Sequence, residues 1–218
     1  MSSSEAMHAR DVPATVGIAA VTTLVSLAIL GLGYLNPAAA WAGFIPARYA
    51  GVSVIAAHYS LAPFWLTPLT ATFVHAGMFH LIFNMVMLVY TGSQTERAIG
   101  PGPLVLLYVL GAYGAALAQW LIGPLVQSPM IGASGALSAC VGAYALLFGT
   151  TRAKAIGPIP ARAVQVIWLG VAWAGINLLV GLVSRQSGMP IAGAAHVGGF
   201  LVGLALAKPL LAWHWRNA

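Results

Sequence analysis

Charged side chains are scarce in this chain of 218 residues. Nine Lys and Arg and three Asp and Glu make up 6% of the sequence, whereas 60% of the residues are hydrophobic. A globular domain of ordinary composition carries about 25% charged residues, which form its contact with water. Since so few charges cannot cover a water-soluble domain of this length, the chain is predicted to be a polytopic membrane protein.

The shortage of acidic residues excludes several kinds of catalytic site. Glu5, Asp11 and Glu96 are the only carboxylates, too few for the paired acids of an aspartyl-type intramembrane protease or a glycosidase. No His-Glu-x-x-His zinc motif is present. Cys140 is the only cysteine, so no disulfide can form within the chain. The net charge of +6 predicts contact with anionic lipid headgroups and no nucleic-acid partner.

Six stretches are apolar enough to cross a membrane as helices, for which about 20 mostly apolar residues are needed. Four of them contain no charged residue, and two shorter ones contain His80 with Asn84 and His196; the six are 16–35, 77–92, 104–123, 130–150, 164–183 and 192–207. The sequence therefore predicts an all-α polytopic protein with a six-helix membrane domain at 16–211. A short N-terminal segment, 1–15, and a short C-terminal tail, 212–218, flank it.

The distribution of Lys and Arg predicts the orientation of this bundle. With six spans, seven of the basic residues fall on one side and only Arg48 and Arg185 on the other. Because positive charge favours the cytoplasmic side, both termini are expected in the cytoplasm. The long connection at about 36–76 then lies outside, and its Pro, Trp and Phe content is typical of the headgroup region.

In this orientation the second, fourth and sixth spans all run from outside to inside. Each carries polar residues near its start, namely His80 and Asn84, then Ser134, then His196, so the four are expected at a similar depth in the outer half of the membrane. Intramembrane ionisable residues are rare and usually functional. A neutral histidine can activate a serine as a nucleophile, and without a spare acid the composition permits a Ser-His dyad.

The same residues also allow interpretations without catalysis. His196 could bond a carbonyl of a neighbouring helix, and His80 with Asn84, four residues apart on one helix face, could clamp two helices together. Small residues around Ser134 are common where spans pack. A stripe of them, Ala195, Gly199 and Gly203, predicts close packing of the sixth span against the fourth, which offers Ser134, Ser138 and Gly142.

Three short motifs carry a family resemblance. The sequences His80-Leu-Ile-Phe-Asn84, Gly132-Ala-Ser134-Gly and Ala195-His196-Val-Gly-Gly199 with Gly203, in this order, spacing and orientation, resemble the rhomboid intramembrane serine proteases. The resemblance implies a six-helix core that cleaves peptide bonds in or near transmembrane segments of other membrane proteins. Ser134 would be the nucleophile and His196 its general base. His80, Asn84 and the Ser134 backbone N–H would hold the oxyanion, and Gly132 would shape the turn.

Further features extend or qualify the resemblance. Glu96 followed by Gly100 is similar to the family's Glu-x-x-x-Gly signature, in which the carboxylate would tie down loop ends. Trp65 is followed by Leu66 where the family often has Arg, and Ser138 stands where many members have an aromatic ring against the catalytic histidine. With neither an extra cytosolic domain nor a seventh span, the chain resembles the minimal prokaryotic form, placed in the plasma membrane with its active site toward the outer side.

Two other functions stay open at this stage. One is a catalytically silent rhomboid-like protein that binds transmembrane segments. The other is a small transporter or a metal-binding protein that uses His75, His80 and His196, although a metal site would favour carboxylate or thiolate ligands. Under the leading hypothesis the partners are transmembrane protein substrates and lipid, with no metal and no cofactor. His75 is expected only to form interfacial hydrogen bonds, and Cys140 to pack.

Overall fold

The computed structural model describes residues 11–52, 61–149, 153–186 and 193–216, and the elements in them are helices. Residues 1–10 and 217–218, in the predicted flanking segments, and His58 in the outer connection lie outside the described residues. The helices are α1 Pro13–Gly31, α2 Leu35–Ala42, α3 Pro46–Tyr49, α4 Thr67–Thr70, α5 Met78–Met87, α6 Ser93–Ile99, α7 Pro101–Ile122, α8 Ser134–Phe148, α9 Ala161–Gln186 and α10 Gly193–Arg216.

Three of these helices, α1, α7 and α10, are long and apolar enough to cross a membrane. A fourth crossing is available if the segments Phe64–Phe73 and Met78–Ile99, which meet at a bend of 91°, act as one broken span. The helix α8 and the part of α9 at Ala161–Trp173 are apolar but shorter. The predicted class of all-helical, multi-pass membrane protein is confirmed, and the count of six spans stays a prediction.

The helix α8 is short because it is central. Its 15 residues extend about 22 Å, less than a hydrocarbon core of about 30 Å. Ten of them are buried, so neighbouring helices cover α8 and it has no need to match the lipid thickness. It begins four residues later than predicted because Met130 pairs with Phe44 in an isolated bridge and the chain turns at Gly132 before the helix starts.

Glycines bring α10 against α8 without side chains between them. A Cβ at Gly199 would collide with the carbonyl oxygen of Gly135, and one at Gly203 would collide with that of Ala139. In the other direction, a Cβ at Gly142 would collide with the carbonyl oxygen of Phe200. Close backbone approach through small residues is a usual way of packing helices in lipid. The two helices are thereby held in a fixed register, which sets the relative positions of their first turns.

Two helices extend well beyond the ends that the sequence predicts. The second span does not end at Gly92. It passes through a π-helical turn at Leu88–Gly92 into α6 and ends at Ile99. The prediction stopped early because Glu96 and Arg97 are charged. The sixth span was expected to end before Pro209, but α10 contains Pro209 and runs to Arg216, so most of the predicted tail 212–218 is helical.

Glu96 is buried rather than solvated. Only 2% of its surface is exposed, and its carboxylate accepts hydrogen bonds from the backbone N–H groups of Ala14 and Thr15, at 2.9 and 2.7 Å, and from the Thr15 hydroxyl at 2.6 Å. The first N–H groups of a helix have no partner within the helix, and a negative charge there is favoured by the helix dipole. Glu96 therefore anchors the start of α1 to the end of the second span.

The outer connection is anchored without an arginine after Trp65. The hydroxyl of Tyr113 on α7 donates to the Trp65 carbonyl at 2.9 Å, and Thr70 donates to the Ala42 carbonyl at 2.7 Å. Arg48 donates to the Ala62 carbonyl at 2.9 Å. These bonds join parts of the connection to each other and to the bundle, so the departure from the family's Trp-Arg pattern leaves the described part of the connection fixed in place.

Candidate active site

The residues before Ser134 are held by the outer connection. The N–H of Gly132 donates to the Ala71 carbonyl at 2.9 Å, and Gly132 has φ +113°, a conformation that residues with a side chain rarely adopt. A Cβ at this position would lie 2.7 and 2.8 Å from the Cε1 and Nε2 atoms of His80. Two features therefore require glycine at position 132, namely the backbone conformation and the lack of space for a Cβ.

Ser134 and His196 come together at the first turns of their helices. Ser134 is the first residue of α8, and His196 is the fourth residue of α10. The Nε2 atom of His196 lies 2.7 Å from the Ser134 Oγ, within the range of a good hydrogen bond. One turn further along, the close packing of Gly199 on Gly135 fixes the distance between the helices. The predicted convergence of these two residues is present; their catalytic roles stay a prediction.

His80 and Asn84, one turn apart in α5, lie on the same face of the second span. The His80 Nδ1 accepts a long hydrogen bond, 3.4 Å, from the Ala76 N–H, which assigns the ring proton to Nε2, the atom beside Gly132. Asn84 is buried, and its Nδ2 donates to the His80 carbonyl at 2.7 Å. One hydrogen of that amide remains available. The His80 Nε2 lies beside Gly132, two residues before Ser134, and the role of His80 and Asn84 as oxyanion donors stays a prediction.

Ser138 does not take the place of a stacking ring. Its hydroxyl donates back to the Ser134 carbonyl at 2.7 Å, a bond within α8. The backbone of His196 is held instead by Trp173 on α9, whose indole N–H donates to the His196 carbonyl at 3.1 Å. The Trp173 ring stacks on Phe200 with centroids 5.3 Å apart. Sequence reasoning missed Trp173, because an aromatic residue in an apolar helix has no distinguishing pattern.

His75 was also underestimated. It is fully buried, with 0% of its surface exposed, and its Nε2 lies 3.3 Å from the backbone nitrogen of Ala133, next to Ser134. It lies in the connection 74–77, outside the membrane-spanning helices, where burial and then the neighbouring His80 lower the pKa of His75 to about 4. His75 is thus a neutral, structured imidazole. Two histidines five residues apart were visible in the sequence, but their burial was not.

The metal-binding alternative named His75, His80 and His196. All three lie in the described part of the chain, where no group of three or more His, Cys, Asp or Glu side chains is arranged to hold a metal ion. The rings of His75 and His80 meet edge to face, with centroids 5.0 Å apart. Both ring nitrogens of His75 and the Nδ1 of His80 are directed instead to backbone groups and a hydroxyl.

The comparisons with known proteins identify the family. The model of the rhomboid domain matches residues 63–213, which is more than half of the chain. The chain belongs to the rhomboid family. The predicted resemblance is therefore confirmed, and the matched region contains every residue of the candidate active site.

Relatives of this rhomboid come from bacteria and plants. Rhomboid protease GluP of Bacillus subtilis is 29% identical over 146 residues, covering 67% of this chain and 26% of the relative. RHOMBOID-like protein 1 of Arabidopsis thaliana is 32% identical over 139 residues, covering 63% and 32%. Rhomboid protease GlpG of Yersinia enterocolitica is 31% identical over 149 residues, covering 67% and 47%. The aligned part of this chain thus spans between about a quarter and about half of these relatives' length.

Proposed function

We propose that this rhomboid is an intramembrane serine endopeptidase that hydrolyses peptide bonds in or near transmembrane segments of other membrane proteins. The observation that carries the proposal is the 2.7 Å contact between the Ser134 Oγ and the His196 Nε2. A serine hydroxyl is a weak nucleophile until a base within hydrogen-bond reach removes its proton. The printed names of two relatives, rhomboid proteases GluP and GlpG, support the same activity.

In the first chemical step the Ser134 oxygen attacks the carbonyl carbon of the substrate peptide while His196 Nε2 takes the hydroxyl proton. The resulting imidazolium gives this proton to the leaving amine, which departs and leaves an ester on Ser134. Water then attacks the ester with His196 again as base, and the acid product leaves. No third acidic member is proposed; the hydrogen bond from Trp173 to the His196 backbone and the packing of α10 on α8 supply the orientation.

The negative charge on the substrate oxygen is proposed to be held by three donors. They are the Ser134 backbone N–H at the start of α8, the His80 Nε2–H and the second N–H of the Asn84 amide. The partial positive charge of the helix N-terminus adds to this stabilisation. Gly132 makes the arrangement possible, because any Cβ there would displace the His80 ring.

The membrane arrangement is proposed from the charge distribution. Seven Lys and Arg against two favour six spans with both termini in the cytoplasm, which puts the first turns of α8 and α10 in the outer half of the membrane. The membrane is proposed to be a prokaryotic plasma membrane. A site at this depth meets the transmembrane segments of other proteins, which are the proposed substrates.

The proposal is tested by labelling with a fluorophosphonate, which reacts with an activated serine and requires no knowledge of the substrate. The detergent-purified protein is compared with Ser134→Ala, His196→Ala and a heat-denatured sample, and we expect labelling only of the folded wild type. Ser93→Ala is the matched control, because Ser93 is buried in the same bundle and its hydroxyl has no hydrogen-bond partner within the described residues. It should label like the wild type.

The same experiment decides between the proposed protease and the silent alternative. A folded wild type that takes up no label, together with co-purification of a transmembrane segment that is never cut, would favour a rhomboid-like binding protein. Labelling that survives in Ser134→Ala would show that another nucleophile reacts. Either result would remove the basis for the assigned roles.

A further inference from the structure

A chain of hydrogen bonds through His75 leads from α1 to the residue before Ser134. The His75 Nδ1 lies 2.9 Å from the Ser26 Oγ, and its Nε2 lies 3.3 Å from the Ala133 nitrogen. Ser26 in turn donates to the Phe73 carbonyl at 2.9 Å. His75 and Ser26 are both fully buried, so these bonds are shielded from water.

The proton positions in this series of hydrogen bonds follow from counting the available donors. Ser26 has a single hydroxyl hydrogen, and the Phe73 carbonyl can only accept it. The Ser26 oxygen must then accept from His75, which places the ring proton on Nδ1. The Nε2 of His75 is left with a lone pair, and it accepts the N–H of Ala133. The bond to Ala133 requires a neutral imidazole, because a proton on Nε2 would face the N–H of Ala133.

The bond to Ala133 acts on the backbone that leads into Ser134. The N–H of Gly132 is held by the Ala71 carbonyl, and the N–H of Ala133 is held by His75. Two successive N–H groups immediately before Ser134 are thus fixed to the segment 71–75. With these peptides fixed, the Ser134 N–H and its Oγ have one orientation relative to His196 and His80.

From this geometry we infer that His75 is a positioning residue for Ser134, acting through the acceptor at Nε2, and not only an interfacial hydrogen-bonding residue. The inference rests on the proposed function, since the orientation of Ser134 matters only if Ser134 is the nucleophile. His75 itself touches neither substrate nor the reacting atoms. The alternative is that His75 only braces α1 through Nδ1 and Ser26.

Two amide substitutions separate these roles. The amide of His75→Gln is attached one carbon further from the backbone than that of His75→Asn. It can therefore present an acceptor near the position of Nε2, whereas Asn reproduces only the position of Nδ1. The second-order rate of fluorophosphonate labelling is measured on the folded fraction of each detergent-purified protein, and thermal unfolding is measured in parallel. We expect His75→Gln to keep at least about a third of the wild-type rate and His75→Asn to lose about 10- to 100-fold, the range expected for a nucleophile displaced by up to about 1 Å.

The order of the two rates decides the question. A His75→Asn protein that labels as fast as His75→Gln, or two variants that label at the wild-type rate while their unfolding temperatures fall, would overturn the inference and leave a bracing role. If His75→Asn does not fold, His75→Phe, which keeps a ring and lacks both nitrogen atoms, takes its place with the same expected loss. A wild type without label would instead refute the proposed function, so the two failures are distinguishable.

Discussion

Replacing Gly132 with alanine tests how the site is built, because the structure predicts two separate penalties. The first is conformational, since φ is +113° and a residue with a Cβ is strained there. The second is steric, since the new Cβ would lie 2.7 Å from the His80 Cε1 and 2.8 Å from its Nε2. The two penalties act on different properties, the first on stability alone and the second on stability and on the oxyanion donor.

The magnitudes follow from these numbers. A non-glycine residue in a disfavoured backbone region costs about 1–3 kcal/mol. Ordinary contacts of a Cβ begin at 3.4 Å, so the His80 ring must retreat by about 0.7 Å, and overpacking of this kind costs about 1–3 kcal/mol more. Displacing a group in an active site by about 1 Å can reduce the rate about 100-fold. We therefore expect Gly132→Ala to lose about 2–6 kcal/mol of stability and up to about two orders of magnitude in labelling rate.

The assay separates the two penalties with matched variants. Gly33 also has a positive φ, +68°, but a Cβ there would meet nothing within 4 Å, so Gly33→Ala reports a conformational penalty without a steric one. Introducing Gly132→Ala into a His80→Ala background removes the ring and with it the steric penalty. Unfolding in detergent is followed for all four proteins and the wild type, and the stability lost at position 132 should be smaller in the His80→Ala background by about 1–3 kcal/mol.

Two results would refute this reasoning. One is a Gly132→Ala protein no less stable than Gly33→Ala, which would mean that the His80 ring moves away at no cost. The other is an equal loss of stability with and without the His80 ring. In either case the ring is not held against Gly132, and His80 loses its place beside the proposed oxyanion.

Three further predictions concern the supports of the site. Asn84→Ala should lower the rate of substrate cleavage by about 10²–10³, the effect of losing one oxyanion donor, and unchanged cleavage would argue against its role. Glu96→Gln should lower the unfolding temperature, because charge-assisted hydrogen bonds to the start of α1 are weakened. Arg97→Gln, which removes the adjacent exposed charge, should leave that temperature nearly unchanged. Equal shifts in the two variants would contradict the capping role. Trp173→Phe keeps a ring for stacking and loses the N–H bond to the His196 carbonyl, so kcat should fall several-fold with little change in KM, and a change in KM alone would point to substrate contact instead.

The membrane class and the convergence of Ser134 with His196 could be predicted from the sequence because each rests on a strong physical constraint. Lipid excludes charge over some 20 residues, which makes apolar stretches visible. The positive-inside rule orients these stretches. A polar residue near the start of each span that runs from outside to inside must then lie at a similar depth. The role of Gly132 came from family resemblance, and its φ of +113° gives the physical reason.

Other features could not be read from the sequence, for identifiable reasons. The helix end at Ile99 was missed because a buried charge such as Glu96 looks like a solvated one until its partners at Ala14 and Thr15 are known. The helix α10 passes through Pro209, although proline usually ends a helix because it lacks an N–H, and no local rule indicates this exception. The interactions of His75 and Trp173 are between distant parts of the chain, and periodicity within a helix carries no information about them.

The π-helical turn at Leu88–Gly92 fixes the number of residues that the second span can hold between Asn84 and Glu96. A π turn holds one residue more than an α turn, and each α-helical residue rotates the chain by about 100°. Asn84 on one side of the turn is buried and donates to the His80 carbonyl, and Glu96 on the other side accepts from the start of α1. Losing a single residue between them would turn one of the two away from its partners, whatever amino acids remained. The number of residues between these two positions is therefore constrained by geometry, in addition to the packing constraint on its buried members such as Leu88.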